Sequence, residues 1–154
     1  MSVKKRVGFF SFTCCEGCII SFIELLNTKF DEYMKKMQIE NFKALKTEKQ
    51  IKKLDIAFIE GAISTEDEIK KLKEIRRKTK VLIAFGSGAC NGFPSNQRNN
   101  FDKKRQKAIQ HLVEKFRQLK KVEPIKTYVK VDGEIPGCPI DEKLLEKKIE
   151  GYLK

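Results

Sequence analysis

Three short apolar runs constrain this chain more than anything else in it. Val7-Gly-Phe-Phe-Ser-Phe12, Leu54-Asp-Ile-Ala-Phe-Ile59 and Val81-Leu-Ile-Ala-Phe85 contain one charged residue between them, Asp55. A strand with one wet face alternates apolar and polar residues, whereas a near-continuous apolar run is buried on both faces. That environment arises when helices cover both sides of a parallel sheet, so the runs predict an α/β fold. The segments between them supply the helices. Cys18 to Leu26 is apolar apart from Ser21 and Glu24. Thr65 and Glu68 form a capping box ahead of Ile69, Leu72 and Ile75, which repeat at helical spacing as far as Lys78. Ala108, Ile109, Leu112, Val113, Phe116 and Leu119 mark another amphipathic helix. A last helix starts at Asp141 and buries Leu144, Leu145, Ile149 and Leu153. A weaker strand signal spans Ile39 to Leu45; Asn91 to Asn100 reads as a long loop and Val122 to Val131 as an extended segment. At 154 residues the length fits a single domain over positions 1–154.

Each apolar run leads into a loop carrying cysteine or glycine. Cys14, Cys15 and Cys18 follow the first, Glu60-Gly61 the second and Gly86-Ser-Gly-Ala-Cys90 the third, while Cys138 lies between Pro136 and Pro139 before the final helix. In an open parallel sheet the carboxyl ends of the strands share one edge, where ligands gather. Cysteines from separate loops therefore meet there. The odd total of five, three of them within five residues, fits poorly with a secreted disulfide framework. Cys15-Glu-Gly-Cys18 lets two thiolates converge on one metal, and equally suits a dithiol pair or half a zinc site. Cys90 and Cys138 stand singly, unlike the second close pair of a zinc ribbon. Four thiolates converging from loops suit an iron–sulfur cluster.

Lys plus Arg numbers 33 against 21 Asp plus Glu, a formal charge of +12 that directs attention to nucleic acid, in the form of a basic module stapled by zinc. The lysines, however, fall on helix faces opposite the apolar stripes, and no stacking-aromatic, recognition-helix or finger pattern accompanies them. Nucleic acid is therefore not the expected partner. No segment reaches the roughly 18 apolar residues of a membrane span. The apolar stretch after Met1-Ser-Val-Lys-Lys-Arg lacks a signal-peptide cleavage pattern and reads as structure. Gly86-Ser-Gly88 lacks the third glycine or the lysine of a phosphate cradle. His111, the single histidine, is assigned to packing or surface rather than to metal.

Thr13-Cys-Cys15-Glu-Gly-Cys18, Ile59-Glu-Gly61, Gly86-Ser-Gly-Ala-Cys90 and Ile135-Pro-Gly-Cys138-Pro-Ile140, in that order, resemble the small, electron-transferring subunit of nickel–iron hydrogenases, a family related to the cluster-bearing subunit of respiratory complex I. The resemblance implies a flavodoxin-like three-layer domain with one 4Fe–4S cluster at the carboxyl edge of the strands, ligated by Cys15, Cys18, Cys90 and Cys138. It implies a hydrogenase large subunit with a nickel–iron centre as partner, electron relay during H2 oxidation or proton reduction by the complex, and Glu60 near the inter-subunit face. Such a subunit belongs to an oxidoreductase without being catalytic alone. No cysteine follows Cys138, so a single cluster is expected, with electrons passed to a further iron–sulfur or flavin subunit. The expected location is cytoplasmic, any membrane attachment coming through partner subunits. Two features depart from the pattern. The tandem Cys14-Cys15 is a trait of the complex I relatives and keeps open the set Cys14, Cys15, Cys90 and Cys138 in a quinone-linked subunit. Relatives commonly follow the third ligand with paired glycines, where Cys90 is followed by Asn91-Gly92-Phe93-Pro94.

Overall fold

A computed structural model describes residues 3–43 and 50–154. The chain begins with β1 (Lys5–Ser11), α1 (Gly17–Lys36), β2 (Met37–Phe42), β3 (Leu54–Glu60) and β4 (Ile63–Thr65). It continues through α2 (Glu66–Lys78), β5 (Thr79–Phe85), the single turn α3 (Ser87–Asn91) and α4 (Lys103–Lys115). β6 (Gln118–Glu123), β7 (Gly133–Ile135) and α5 (Glu142–Tyr152) complete it. Five strands form one parallel sheet in the order β2-β1-β3-β5-β7, and β4 pairs antiparallel with β6 in a small separate ribbon. This doubly wound order is that of flavodoxin-like folds, and its direction of winding reverses between β1 and β3.

The apolar runs are apolar because helices cover both faces of the sheet. Val7, Phe9, Ile56, Phe58, Ile83 and Phe85 alternate onto the face under α1 and α5. There Phe9 stacks against Phe22 of α1 at 4.2 Å and against Phe58 at 4.9 Å between ring centroids. Phe10, Ala57, Ile59, Leu82 and Ala84 point to the opposite face, beneath Leu72 and Ile75 of α2. The capping box opening α2 is present, Thr65 Oγ1 accepting from Glu68 N and the Glu68 carboxylate accepting from Thr65 N. Asp141 caps α5 by accepting from Leu144 N. Leu145, Ile149 and Leu153 are buried as expected, with Leu144 only half-buried.

Several elements differ from the sequence reading. α1 continues ten residues beyond Leu26, through a lysine-rich stretch. Tertiary contacts hold this extension: Tyr33 is fully buried, and Lys29 pairs with Glu146 and Glu150 on α5. β2 ends at Phe42, and positions 44 and 45 of the anticipated strand lie outside the described residues. Asn91–Asn100 is not loop throughout, since 87–91 form α3 and Ser95–Asn100 a 3-10 turn. α4 stops at Lys115, Arg117 adopts a left-handed φ of 50°, and Leu119 falls in β6. No residue of α4 is buried, and Leu112 and Phe116 are exposed, so among the described residues that apolar stripe stays largely uncovered. His111, on the same helix, is exposed. Among the described residues no helix is long and apolar enough to cross a membrane.

Candidate metal centre

The exits of β1 and β3 are laced together by backbone hydrogen bonds. Phe12 N donates to Glu60 O at 2.9 Å, Thr13 N to Ala62 O at 3.1 Å, and Ala62 N to Thr13 O at 3.0 Å. The Thr13 hydroxyl donates to the Glu68 carboxylate at 2.9 Å, anchoring this exit to α2 as well. Beyond Thr13 the chain turns through Cys14, Cys15 and Glu16 into α1. Glu16 takes a left-handed φ of 61°, and its side chain does not cap the helix. The cap comes from Glu60 instead, whose carboxylate accepts from Cys18 N at 3.1 Å and Ile19 N at 3.2 Å. A carboxylate suits this place because the first N–H groups of a helix lack partners and carry partial positive charge. Glu60 is 3% exposed. Burial raises its pKa above the usual carboxylate range, against the opposing effect of the two N–H donors.

The facing wall is built from β5 and β7. Gly86 N donates to Ile135 O at 2.8 Å and Ser87 N to Gly137 O at 2.7 Å, fastening the β5–α3 turn to the loop that carries Cys138. Gly86 has φ of 85°, and a Cβ there would lie 2.5 Å from Cys18 Sγ, so both backbone and space require glycine. Cys18 Sγ in turn approaches Gly137 O at 3.9 Å. Between these walls lies a cleft of about 260 Å³ at the sheet's carboxyl edge. Cys14, Cys15, Cys18, Cys138 and Glu60 line it, with Gly86, Ser87 and Gly88 on one side and Phe93 and Pro94 near its rim. It sits outside the β1–β3 switch point, where doubly wound sheets bind ligands.

Cys15 and Cys138 are exposed, Cys14 is half-buried and Cys18 is buried. Burial pushes the Cys14 thiol up to about 11 and the Cys18 thiol up to about 12. These thiols hold their protons at neutral pH, and taking up a metal would release them. Cys90, named in both ligand sets read from the sequence, is not brought to the cleft. It is 4% exposed, donates its thiol to Ala84 O at 3.6 Å and belongs to the core on the α2 side of the sheet. The reason is helical phase. Residues 87–91 wind into α3, so positions 88 and 90 point about 200° apart around its axis. Gly88 is the one that meets the cleft.

The family model described as NADH ubiquinone oxidoreductase, 20 Kd subunit, matches residues 15–150. The chain belongs to this family. Among its relatives, the sulfhydrogenase 2 subunit delta of Pyrococcus furiosus is 28% identical over 138 residues, covering 90% of this chain and 57% of the relative. The NAD-reducing hydrogenase HoxS subunit delta of Cupriavidus necator is 26% identical over 163 residues, covering 96% and 78%. A crystal structure of an NAD+-reducing [NiFe]-hydrogenase in the H2-reduced state contains a chain that superposes with a TM-score of 0.85 at 26% identity, covering 98% of this chain and 92% of that one. The chain spans just over half the length of the curated relatives it matches first.

This is a family that carries iron–sulfur clusters. The cleft fits such a group in part. Cys15, Cys18 and Cys138 line it beside the backbone of Gly86 and Gly88. The β5–α3 turn, however, contributes no thiol. Among the described residues, no three His, Cys, Asp or Glu side chains stand close enough to hold one metal ion. A cubane cluster spreads its thiolates more widely than a single ion does. One role escaped the sequence. Glu60 was placed by the family pattern but not as the cap of α1, and its only local signal is an acid ending an apolar run just before glycine.

Proposed function

We propose that this chain is an electron-transfer subunit of a hydrogenase-type complex, holding one 4Fe–4S cluster in the cleft outside β1 and β3. The observation that carries this reading is the convergence of Cys15, Cys18 and Cys138, from opposite ends of the chain, on one glycine-walled cleft. The family and the hydrogenase subunits among the relatives support the same assignment. A bound cluster supplies one-electron storage at a potential tuned by nearby charge, hydrogen bonds and solvent exclusion. Around it, Glu60 fixes the turn bearing Cys15 and Cys18 by holding the Cys18 and Ile19 amides. Ser87 N, committed to Gly137 O, keeps the Cys138 loop against the β5 exit. Phe93 and Pro94 make part of the rim apolar, which limits water. Phe93 is 47% exposed and Ile20, just after Cys18 on α1, is 54% exposed. A large subunit bearing a nickel–iron centre would cover both, and a further iron–sulfur or flavin subunit would take the electrons onward.

Anaerobic purification followed by metal and sulfide analysis tests this reading. About four irons and four acid-labile sulfides per chain are expected, with a paramagnetic cluster signal after reduction. Stoichiometric zinc without iron would overturn it.

A further inference from the structure

The ligand set is where sequence and structure part, and the inference drawn from it rests on the cluster reading above. We propose that the cluster is held by Cys15, Cys18 and Cys138 alone, so that one iron lacks a cysteine and is open to a small exogenous donor such as a thiol, cyanide or water. Cys90 is then a core thiol. Its Sγ lies 3.6 Å from Ala84 O, among buried residues on the far side of the β5–α3 turn from the cleft. Turning it into the cleft requires rotating α3 by about half a turn about its axis. That rotation breaks the tie from Ser87 N to Gly137 O at 2.7 Å and withdraws the Cys90 thiol from Ala84 O.

The turn facing the cleft is made of Gly86, Ser87 and Gly88, which carry no thiol. A Cβ added at Gly88 would come within 3.0 Å of Gly61 Cα, so this wall is packed backbone against backbone. Cys14 shares the cleft but not the arrangement of the other three. It follows Thr13, whose backbone is bridged to Ala62, and its Cβ rests over the Gly61 turn.

An iron without a cysteine is the one lost first on oxidation. Ferricyanide takes one electron from the [4Fe–4S]2+ core, one Fe2+ departs, and [3Fe–4S]+ remains. The full chain, purified anaerobically, should show this conversion by electron paramagnetic resonance and regain the iron when ferrous salt and a reductant are added. Added cyanide or 2-mercaptoethanol should shift the spectrum of the reduced protein. Cys90→Ala, Cys90→Ser and Cys14→Ser, checked for folding by circular dichroism, should match the parent in iron content and in reversible loss of one iron. Cys138→Ser should lower iron at least threefold. Alkylation of the native loaded protein should mark Cys14 while Cys15, Cys18 and Cys138 stay protected. Loss of cluster in folded Cys90 variants, protection of Cys14 with loss in Cys14→Ser, or a spectrum indifferent to added donors would each overturn the three-cysteine assignment. A wild-type chain that binds no iron instead overturns the parent reading.

Discussion

Glu60 shows how one side chain sets the geometry of a site without being among its ligands. It ends β3, yet its carboxylate closes the first turn of α1, forty-two residues away in the chain, by accepting from Cys18 N. Glu60→Gln keeps the shape but sets an amide NH2 against one of the two N–H donors and removes the charge that both of them faced. Hydrogen bonds to a charged group are worth about 1.5–3 kcal/mol, so the variant should lose about 2 kcal/mol in urea unfolding of the cluster-free protein. It should also bind cluster less completely, because the turn carrying Cys15 and Cys18 loosens. Unchanged stability and iron content would remove Glu60 from this role. The same scale explains what could be read in advance. The gathering of Cys15, Cys18 and Cys138 at one cleft was legible because the loops that follow parallel strands share one edge of the sheet. The position of Cys90 was not legible because a glycine-rich stretch reads as loop, and only its winding into α3 decides whether position 88 or position 90 meets the cleft. The capping role of Glu60 left no mark beyond an acid before glycine at the end of an apolar run, since a cap supplied from another strand has no fixed spacing.

At the scale of elements, the sheet was the most legible part, because strands covered on both faces must be apolar throughout. The lysine-rich half of α1 was not legible, since Tyr33 and the Lys29 pairs that stabilise it depend on α5 lying alongside. The stripe on α4 was read correctly as amphipathic but stays largely uncovered within the described residues. Asp55, the one charge within the apolar runs, has a definite task at the opposite edge of the sheet from the cleft. It accepts from Arg6 N at 2.8 Å and pairs with Lys80 at 2.8 Å, tying β3 to β1 and β5 at once. The Lys80 ammonium and then the Arg6 amide hold its pKa below the usual carboxylate range. A carboxyl whose pKa is depressed on folding adds stability above its unfolded value, near 3.9, and that stability disappears as pH falls through the lower folded value. Asp55→Asn should therefore be less stable than the parent at pH 7. Its urea midpoint should fall less steeply between about pH 4 and pH 2. Parallel acid limbs for the two proteins would show that Asp55 carries no such linkage.

For the molecule as a whole, the cleft is where the beginning and end of the chain meet. The first turn of α1 and the loop after β7 touch through Cys18 Sγ and Gly137 O, a weak contact at 3.9 Å. A cluster bridging Cys15, Cys18 and Cys138 would replace that contact with a clip across nearly the whole chain, and clips closing long loops restrict the unfolded ensemble most. The formal charge of +12 sharpens the expectation. The lysine and arginine side chains repel one another in the compact state, and thiolate-bound cluster adds negative charge locally, so loading relieves part of that repulsion. Ligand binding at a thousandfold excess over its dissociation constant stabilises by about 4 kcal/mol. For a chain of this size that corresponds to roughly 10 °C in melting temperature. Loaded protein should melt higher than protein stripped of iron by chelator under oxidising conditions and then re-reduced. The gain in hydrogen-exchange protection should concentrate in residues 13–18, 86–88 and 136–140, the walls of the cleft, and not in α4. If the stripped and loaded forms melt together, or if protection spreads evenly over the sheet, the two loops are preorganised without the cluster. The fold would then serve the site as a finished socket rather than as two ends that the cluster joins.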